Sequence, residues 1–104
     1  MNKEMLKGTI DLLILSILDN QDGYGYEISR VIKERTKGTF DMQEATLYLS
    51  LKRLEKNAAI TSYWGKESQG GKRKYYAITE AGKDQLQQYT EDWNQMAKMV
   101  ELFL

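Results

Sequence analysis

The fold of this chain is decided by residues 45–56, Ala45-Thr46-Leu47-Tyr48-Leu49-Ser50-Leu51-Lys52-Arg53-Leu54-Glu55-Lys56. Leu47, Leu51 and Leu54 recur at spacings of four and three, so they share one face of a helix. The other face is small and polar near its start and cationic further along. We therefore expect the leucines to pack on the body of the protein and the opposite face to remain open.

The start of this helix carries capping signals. Asp41 can accept hydrogen bonds from the exposed backbone amides, and Glu44, three residues later, completes a capping-box-like arrangement. The sequence therefore predicts that the helix begins just after Asp41.

A β-hairpin is predicted next. Residues 60–64 and 75–78 are rich in β-branched and aromatic side chains, which favours strands. The loop between them contains three glycines and ends in three consecutive cations, residues 72–74. We expect Trp64 and Tyr76 to be packing residues at the base of this hairpin.

Three further helices complete the expected fold. The first runs from about Lys3 to Leu18, the second from about Tyr24 to Thr36, and the last from Glu80 to Leu104 with Thr79 as its cap. The fold class is mainly α with a small β-hairpin: a winged helix-turn-helix domain over residues 1–79, plus a long C-terminal dimerisation helix over residues 80–104.

The charge distribution indicates nucleic acid. The chain has a net charge of zero, yet residues 52–75 carry seven cations against two carboxylates, and the remainder is acidic. Positive potential concentrated on a helix and a hairpin tip is typical of a winged helix that enters a groove and rides an adjacent backbone. For the helix alone, an ordinary solvated surface is the alternative, and the basic hairpin favours DNA.

The expected DNA contacts divide by chemistry. Small and polar residues near the helix start approach base edges, while longer cations reach phosphates and glycines let the backbone approach closely. The candidate DNA-binding residues are Gln43, Ala45, Thr46, Tyr48, Lys52, Arg53, Lys66, Gly70, Gly71, Lys72, Arg73 and Lys74.

Composition argues against enzymes and membranes. The chain has no cysteine and no histidine, so the usual nucleophiles, bases and zinc ligands are missing, and neither catalytic residues, a cofactor nor a metal site is expected. The apolar run from Ile10 to Leu18 is too short to span a bilayer. We expect a cytoplasmic binding protein without contact to a membrane.

The last helix carries a coiled-coil-like row of apolar residues. Leu86, Trp93 and Val100 lie seven apart, and each is followed at three by Tyr89, Met96 or Phe103. A chain of this size has little surface left on which this apolar row could pack, and we therefore expect the row to pack against a partner chain. The dense first helix is its predicted companion.

Several motifs resemble the PadR family of bacterial transcriptional regulators. They are Gly23-Tyr24-Gly25-Tyr26-Glu27-Ile28, Ala45-Thr46-Leu47-Tyr48, Lys52-Arg53-Leu54-Glu55-Lys56, Lys72-Arg73-Lys74-Tyr75-Tyr76 and Thr79-Glu80-Ala81-Gly82. The resemblance covers essentially the whole chain. It implies a winged-helix homodimer that represses promoters and is released by small effectors.

The single C-terminal helix resembles the short subgroup, which includes multidrug-sensing repressors. In that subgroup a tryptophan from each last helix stacks on flat aromatic compounds at the dimer interface, and Trp93 stands at the corresponding position. The candidate ligand-binding residues are Met5, Gly8, Leu12, Leu15, Trp93, Met96, Ala97 and Val100. The position one turn after Trp93 is Ala97 and not a carboxylate, which disfavours a cationic ligand. Asp11, Asp92 or Glu101 would have to supply the negative charge for such a ligand.

The main hypothesis is thus a repressor that binds double-stranded DNA at a palindromic operator, with two recognition helices about 34 Å apart, and is released by a planar aromatic effector. Trp93 filling the dimer interface, in a regulator without a drug-binding cavity, is one alternative. A protein-interaction module that pairs through its last helix is another, and an enzyme fits least.

Overall fold

The computed structural model describes residues 8–65 and 71–104. Within these ranges, four helices and three short strands follow one another. They are α1 (Thr9–Asn20), β1 (Gly23–Tyr24), α2 (Gly25–Arg35), α3 (Glu44–Lys56), β2 (Ile60–Trp64), β3 (Lys74–Ile78) and α4 (Glu80–Glu101). This order confirms the predicted class, a winged helix-turn-helix with a long C-terminal helix.

The leucine face of α3 lies at the centre of the core. Leu47, Leu51 and Leu54 each expose 1% or less of their surface, as their spacing predicts. The cluster around them comes from α1, α2 and the sheet, and includes Ile14, Leu15, Leu18, Ile28, Ile32, Ile60 and Tyr76. Packing on both α1 and α2 holds α3 against the body of the domain and leaves the opposite face of α3 open.

The sheet has one strand more than the sequence predicted. Its order is β1-β3-β2, and β1 joins β3 in antiparallel register with Gly23 opposite Tyr76. The sequence pattern gives a turn at Asp22-Gly23, because two residues are too few to show a strand period. Pairing with β3 ties the segment between α1 and α2 to the base of the hairpin.

Two predicted helix starts were wrong. The chain takes a left-handed conformation at Gly8 (φ 80°), so α1 begins at Thr9 and does not run unbroken from the region of Lys3, which lies outside the described residues. The N-cap of α3 is Gln43, with no side-chain capping bond. Asp41 stands two residues before this N-cap, too early to cap the helix, and its carboxylate lies 3.6 Å from Lys33 Nζ.

The hairpin aromatics divide between core and solvent. Tyr76 is buried as predicted, whereas Trp64 is 66% exposed and does not pack at the hairpin base. Both residues lie on the same face of the sheet, but Trp64 belongs to the last pair of the ladder, opposite the exposed Lys74, and so lies beyond the core that covers Tyr76.

The start of α4 is locked onto the end of α3. The Thr79 hydroxyl accepts a hydrogen bond from the Gly82 amide at 3.0 Å, which confirms the predicted cap, and donates to the Ala58 carbonyl oxygen at 2.6 Å. A Cβ on Gly82 would lie 2.0 Å from the Ala59 carbonyl oxygen. No helix of the described residues has an apolar stretch long enough to cross a bilayer.

Gly82→Ala is expected to destabilise the protein. Alanine is favoured over glycine inside a helix by about 1 kcal/mol. Here its methyl group meets a backbone carbonyl that cannot move away cheaply, and we expect a net loss of about 1–3 kcal/mol in the free energy of unfolding. Urea unfolding at fixed protein concentration measures this loss. Asp84→Ala, an exposed change in the same turn, is the control, and equal or higher stability of Gly82→Ala would contradict the close contact.

Candidate nucleic-acid interface and interhelical pocket

The outer face of α3 is open at its N-terminal end. Gln43 and Ala45 are exposed and Thr46 is half-buried. Tyr48 lies against the start of α2, where a Cβ on Gly25 would come within 2.5 Å of its hydroxyl oxygen. Gly25 therefore lets the Tyr48 ring pack across α2 while part of it stays accessible.

Two exposed residues at this surface were missing from the sequence-based set. Leu49 is largely exposed on α3, and Tyr26 is largely exposed on α2. Tyr26 and Tyr48 border a depression of about 210 Å³ between the two helices. The sequence held a signal for both residues. Each is an apolar or aromatic side chain at a helical position that the periodicity places outside the buried face.

The cations of α3 are placed differently from one another. Lys52 is exposed and has no carboxylate within 4.0 Å among the described residues. Arg53, expected to hold phosphate, has its Nη2 atom 2.6 Å from Asp11 Oδ1 on α1. The sequence pattern gave no indication of this ion pair, whose members are 42 residues apart.

The cations of the hairpin are held by aromatic rings and a carboxylate. The Arg73 guanidinium lies 4.5 Å above the Tyr24 ring, a cation–π contact. Lys74 Nζ lies 3.9 Å from Glu55 Oε1. Lys72 is exposed, and Gly71 has a φ of 88° that favours glycine. The predicted contacts Lys66 and Gly70 lie outside the described residues.

A tyrosine cluster stiffens the base of the hairpin. Tyr75 packs edge-on against Tyr24, with ring centroids 5.4 Å apart, and is stacked with Tyr63 at 5.7 Å. The Tyr63 hydroxyl donates to Asp22 Oδ2 at 2.5 Å, and this hydrogen bond to a carboxylate raises the pKa of Tyr63 above its usual 10.0. Tyr63 therefore remains a neutral donor across the physiological range.

A second depression, of about 150 Å³, lies between the start of α1 and the middle of α4. Four predicted ligand-binding residues line it, namely Gly8, Leu12, Trp93 and Met96. We call this the interhelical pocket.

Three more residues line the interhelical pocket: Thr9 and Tyr89 were not predicted, and Asp92 was one of three carboxylates named as possible sources of negative charge. Tyr89 could have been found, since it belongs to the apolar row of the last helix. The Asp92 Oδ1 atom accepts a hydrogen bond from Gln88 Nε2 at 2.9 Å, which orients the carboxylate.

Three other predicted ligand contacts, Leu15, Ala97 and Val100, do not line this pocket. Leu15 is fully buried in the core, because it lies on the inner face of α1, and no ligand reaches it with the core closed. Ala97 and Val100 follow Trp93 by about one and two helical turns. Met5 lies outside the described residues.

The C-terminal half of α4 and the three residues that follow it expose an apolar edge. Leu86 and Tyr89 pack on the core, but beyond them the larger apolar side chains face solvent in this single chain. The exposed side chains are Trp93, Met96, Met99, Val100, Leu102, Phe103 and Leu104.

Comparison with known proteins agrees with this geometry. Residues 14–88 match the transcriptional regulator PadR-like family. A transcriptional regulator from Clostridium thermocellum superposes with a TM-score of 0.92 at 38% identity, covering 100% of this chain and 98% of that one. A PadR family transcription regulator from Clostridium difficile has a TM-score of 0.79 and 44% identity, covering 90% of this chain and 96% of that one.

A longer relative matches as well. Transcriptional regulator YqjI of Escherichia coli is 33% identical over 94 residues, which are 90% of this chain and 42% of that protein. The family match over most of the chain, on a winged helix with these surfaces, shows that this chain belongs to the PadR-like family of DNA-binding transcriptional regulators.

Proposed function

We propose that this chain is a homodimeric repressor that binds a palindromic operator and releases it when a planar aromatic cation enters the dimer interface. The observation that carries this proposal is the interhelical pocket, whose Trp93 lies on the exposed apolar edge of α4. One surface would thus serve both pairing and effector binding.

The apolar edge of α4 supports pairing with a second copy. With 22 residues, α4 is about 33 Å long, and its C-terminal half exposes aromatic, methionine and aliphatic side chains. An exposed apolar patch of this kind marks an interaction surface, and such side chains are enriched in dimer interface cores. The charge of Asp92 and the indole of Trp93 would then lie at the margin of the interface.

Val100→Asp is expected to convert the dimer to monomer, because it places a charge in the apolar interface. Sedimentation velocity at micromolar concentration measures the change. Gln95→Asp adds the same charge on the opposite side of α4 and is expected to leave the dimer intact. A Val100→Asp protein that is still dimeric would exclude α4 from the interface.

The exposed end of α3 and the hairpin cations support DNA binding in two roles. Gln43, Ala45 and Thr46 present small and polar groups suited to base edges. Lys52 and Lys72, exposed and without carboxylate partners among the described residues, are suited to phosphate. In a two-fold dimer, two such surfaces would face successive major grooves about 34 Å apart.

The double substitution Lys52→Ala/Lys72→Ala is expected to weaken binding to any duplex and to flatten its salt dependence. The slope of log K against log salt concentration should fall by about 0.9 for every phosphate that is no longer neutralised. Fluorescence anisotropy with a random-sequence duplex at several salt concentrations measures both effects. Lys98→Ala, which removes a cation from the far end of α4, is the control, and an unchanged slope in the double variant would contradict the assignment.

The size of the interhelical pocket supports an aromatic effector. One copy offers about 150 Å³, so two copies facing each other across a dimer axis would enclose about 300 Å³, at the lower limit for a drug-sized ligand. Paired indoles could sandwich a flat ring system, and Met96 adapts to different shapes.

Asp92 supports a cationic ligand. Of the three carboxylates that the sequence offered, Asp92 lines the pocket, whereas Asp11 is turned toward Arg53. An oriented carboxylate beside an indole favours a delocalised cation over a neutral ring.

In a Trp64→Phe background, where Trp93 is the remaining tryptophan, the planar cation Hoechst 33342 is expected to quench fluorescence saturably. Asp92→Asn should weaken binding about fivefold, which corresponds to a charge interaction of about 1 kcal/mol. Glu91→Gln, which removes a carboxylate from a different face of α4, is the matched control.

Dye fluorescence then tests Trp93→Ala, which is expected to abolish binding. If Trp93→Ala binds the dye as well as the Trp64→Phe parent does, Trp93 only packs in the interface, and the protein is a regulator without a drug-binding cavity.

A further inference from the structure

Asp11 is a buried carboxylate on α1 that reaches across to α3. Its side chain is 7% exposed, and its two oxygens face one guanidinium, with Oδ1 2.6 Å from Arg53 Nη2 and Oδ2 3.4 Å from Arg53 Nε. The same Nη2 lies 3.3 Å from the Oγ atom of the buried Ser50. The Arg53 guanidinium thus donates both to the Asp11 carboxylate on α1 and to the Ser50 hydroxyl on its own helix.

This pair commits the Arg53 guanidinium. A buried carboxylate without its partner is strongly unfavourable, so Asp11 holds the cation even though the Arg53 side chain is 51% exposed. Because the fork of the guanidinium faces Asp11 in bidentate fashion, its direction is fixed as well as its distance. Arg53 is therefore poorly placed to turn toward a phosphate.

The rest of the contact between α1 and α3 is apolar. Ile14, Leu15 and Leu18 pack with the leucines of α3. Apolar burial is not directional, so it resists separation of the helices more than it resists rotation of α3 about its own axis. The bidentate pair supplies that angular constraint, and a small rotation of α3 would move Thr46 and Gln43 away from their base edges.

We propose that Asp11 is a positioning residue for DNA recognition, which acts through Arg53 to set the rotation of α3. In this role Arg53 has a structural function and does not hold phosphate. Removing Asp11 lowers the preference for the selected DNA sequence, while every phosphate contact stays in place. The proposal requires DNA binding through α3 and is independent of any effector.

The test uses the 104-residue chain and two probes, a duplex selected by the wild type from a randomised library and a random-sequence duplex. We expect Asp11→Asn to bind the selected duplex about tenfold more weakly. Affinity for the random duplex and the salt slope on both duplexes should remain as in the wild type, because the protein still neutralises the same phosphates. Asp19→Asn removes an exposed carboxylate from the same helix and is the matched control for charge.

Two further variants keep the test decisive if Asp11→Asn folds poorly. Arg53→Lys keeps the charge but not the bidentate geometry, and should lower the ratio of selected to random affinity as Asp11→Asn does. The double variant Asp11→Asn/Arg53→Gln should bind no more weakly than Arg53→Gln alone, since both substitutions remove one interaction.

Two results would overturn the proposal. If Arg53 holds phosphate, Asp11→Asn frees it and raises affinity for both duplexes, while Arg53→Gln lowers both equally and reduces the salt slope by about 0.9 for each phosphate released. If the pair only stabilises the fold, the variants unfold at lower temperature but keep the wild-type affinity ratio when assayed folded. Failure of the wild type to select any duplex would instead refute DNA recognition by α3.

Discussion

Everything in this molecule depends on α3 having one face inside the core and one outside it. The buried leucines join α1, α2 and the sheet into one cluster, so α3 cannot be moved without disturbing the whole domain. The same helix presents its small, polar and cationic residues outward. The close-packed core keeps this surface attached to the domain, and the Asp11–Arg53 pair adds the proposed constraint on its rotation, which suits a protein that must read the edges of base pairs at fixed positions.

The cations of this surface form two groups with different environments. Arg53 and Lys74 lie beside Asp11 and Glu55, so they join α3 to α1 and to the hairpin. Lys52 and Lys72 face solvent. The Ser62 hydroxyl also donates to Glu55, which adds a second link between α3 and β2. Charge counted along the chain therefore overstates what is available to DNA, because part of it holds the domain together.

Sequence reasoning succeeded where the physics is local. The spacing of the α3 leucines and the chemistry of the Thr79 cap involve residues at most seven apart, and both predictions are confirmed. Sequence reasoning failed for contacts between residues that are far apart in the chain. The pairing of β1 with β3 and the contact of Asp11 with Arg53 join distant residues, and no periodicity encodes them. Asp41 shows the converse, since this favourable local capping signal stands two residues before the N-cap and forms an ion pair with Lys33. Four residues of the interhelical pocket were predicted, but Asp92 was only one of three candidates until α1 and α4 came together.

The close contact of Gly82 with the Ala59 carbonyl oxygen fixes the start of α4, so a small tilt of the helix displaces its far end. The first turn of α4 is fixed to the segment that follows α3, Leu86 and Tyr89 pack on the core, and the rest of the 22-residue helix extends beyond them. For the length of about 18 Å from Tyr89 to the end of α4, a tilt of about 5° moves the free end by about 1.6 Å. The converse also holds, so a displacement of a few ångströms at the far end returns to α3 as a change of angle with little change in distance.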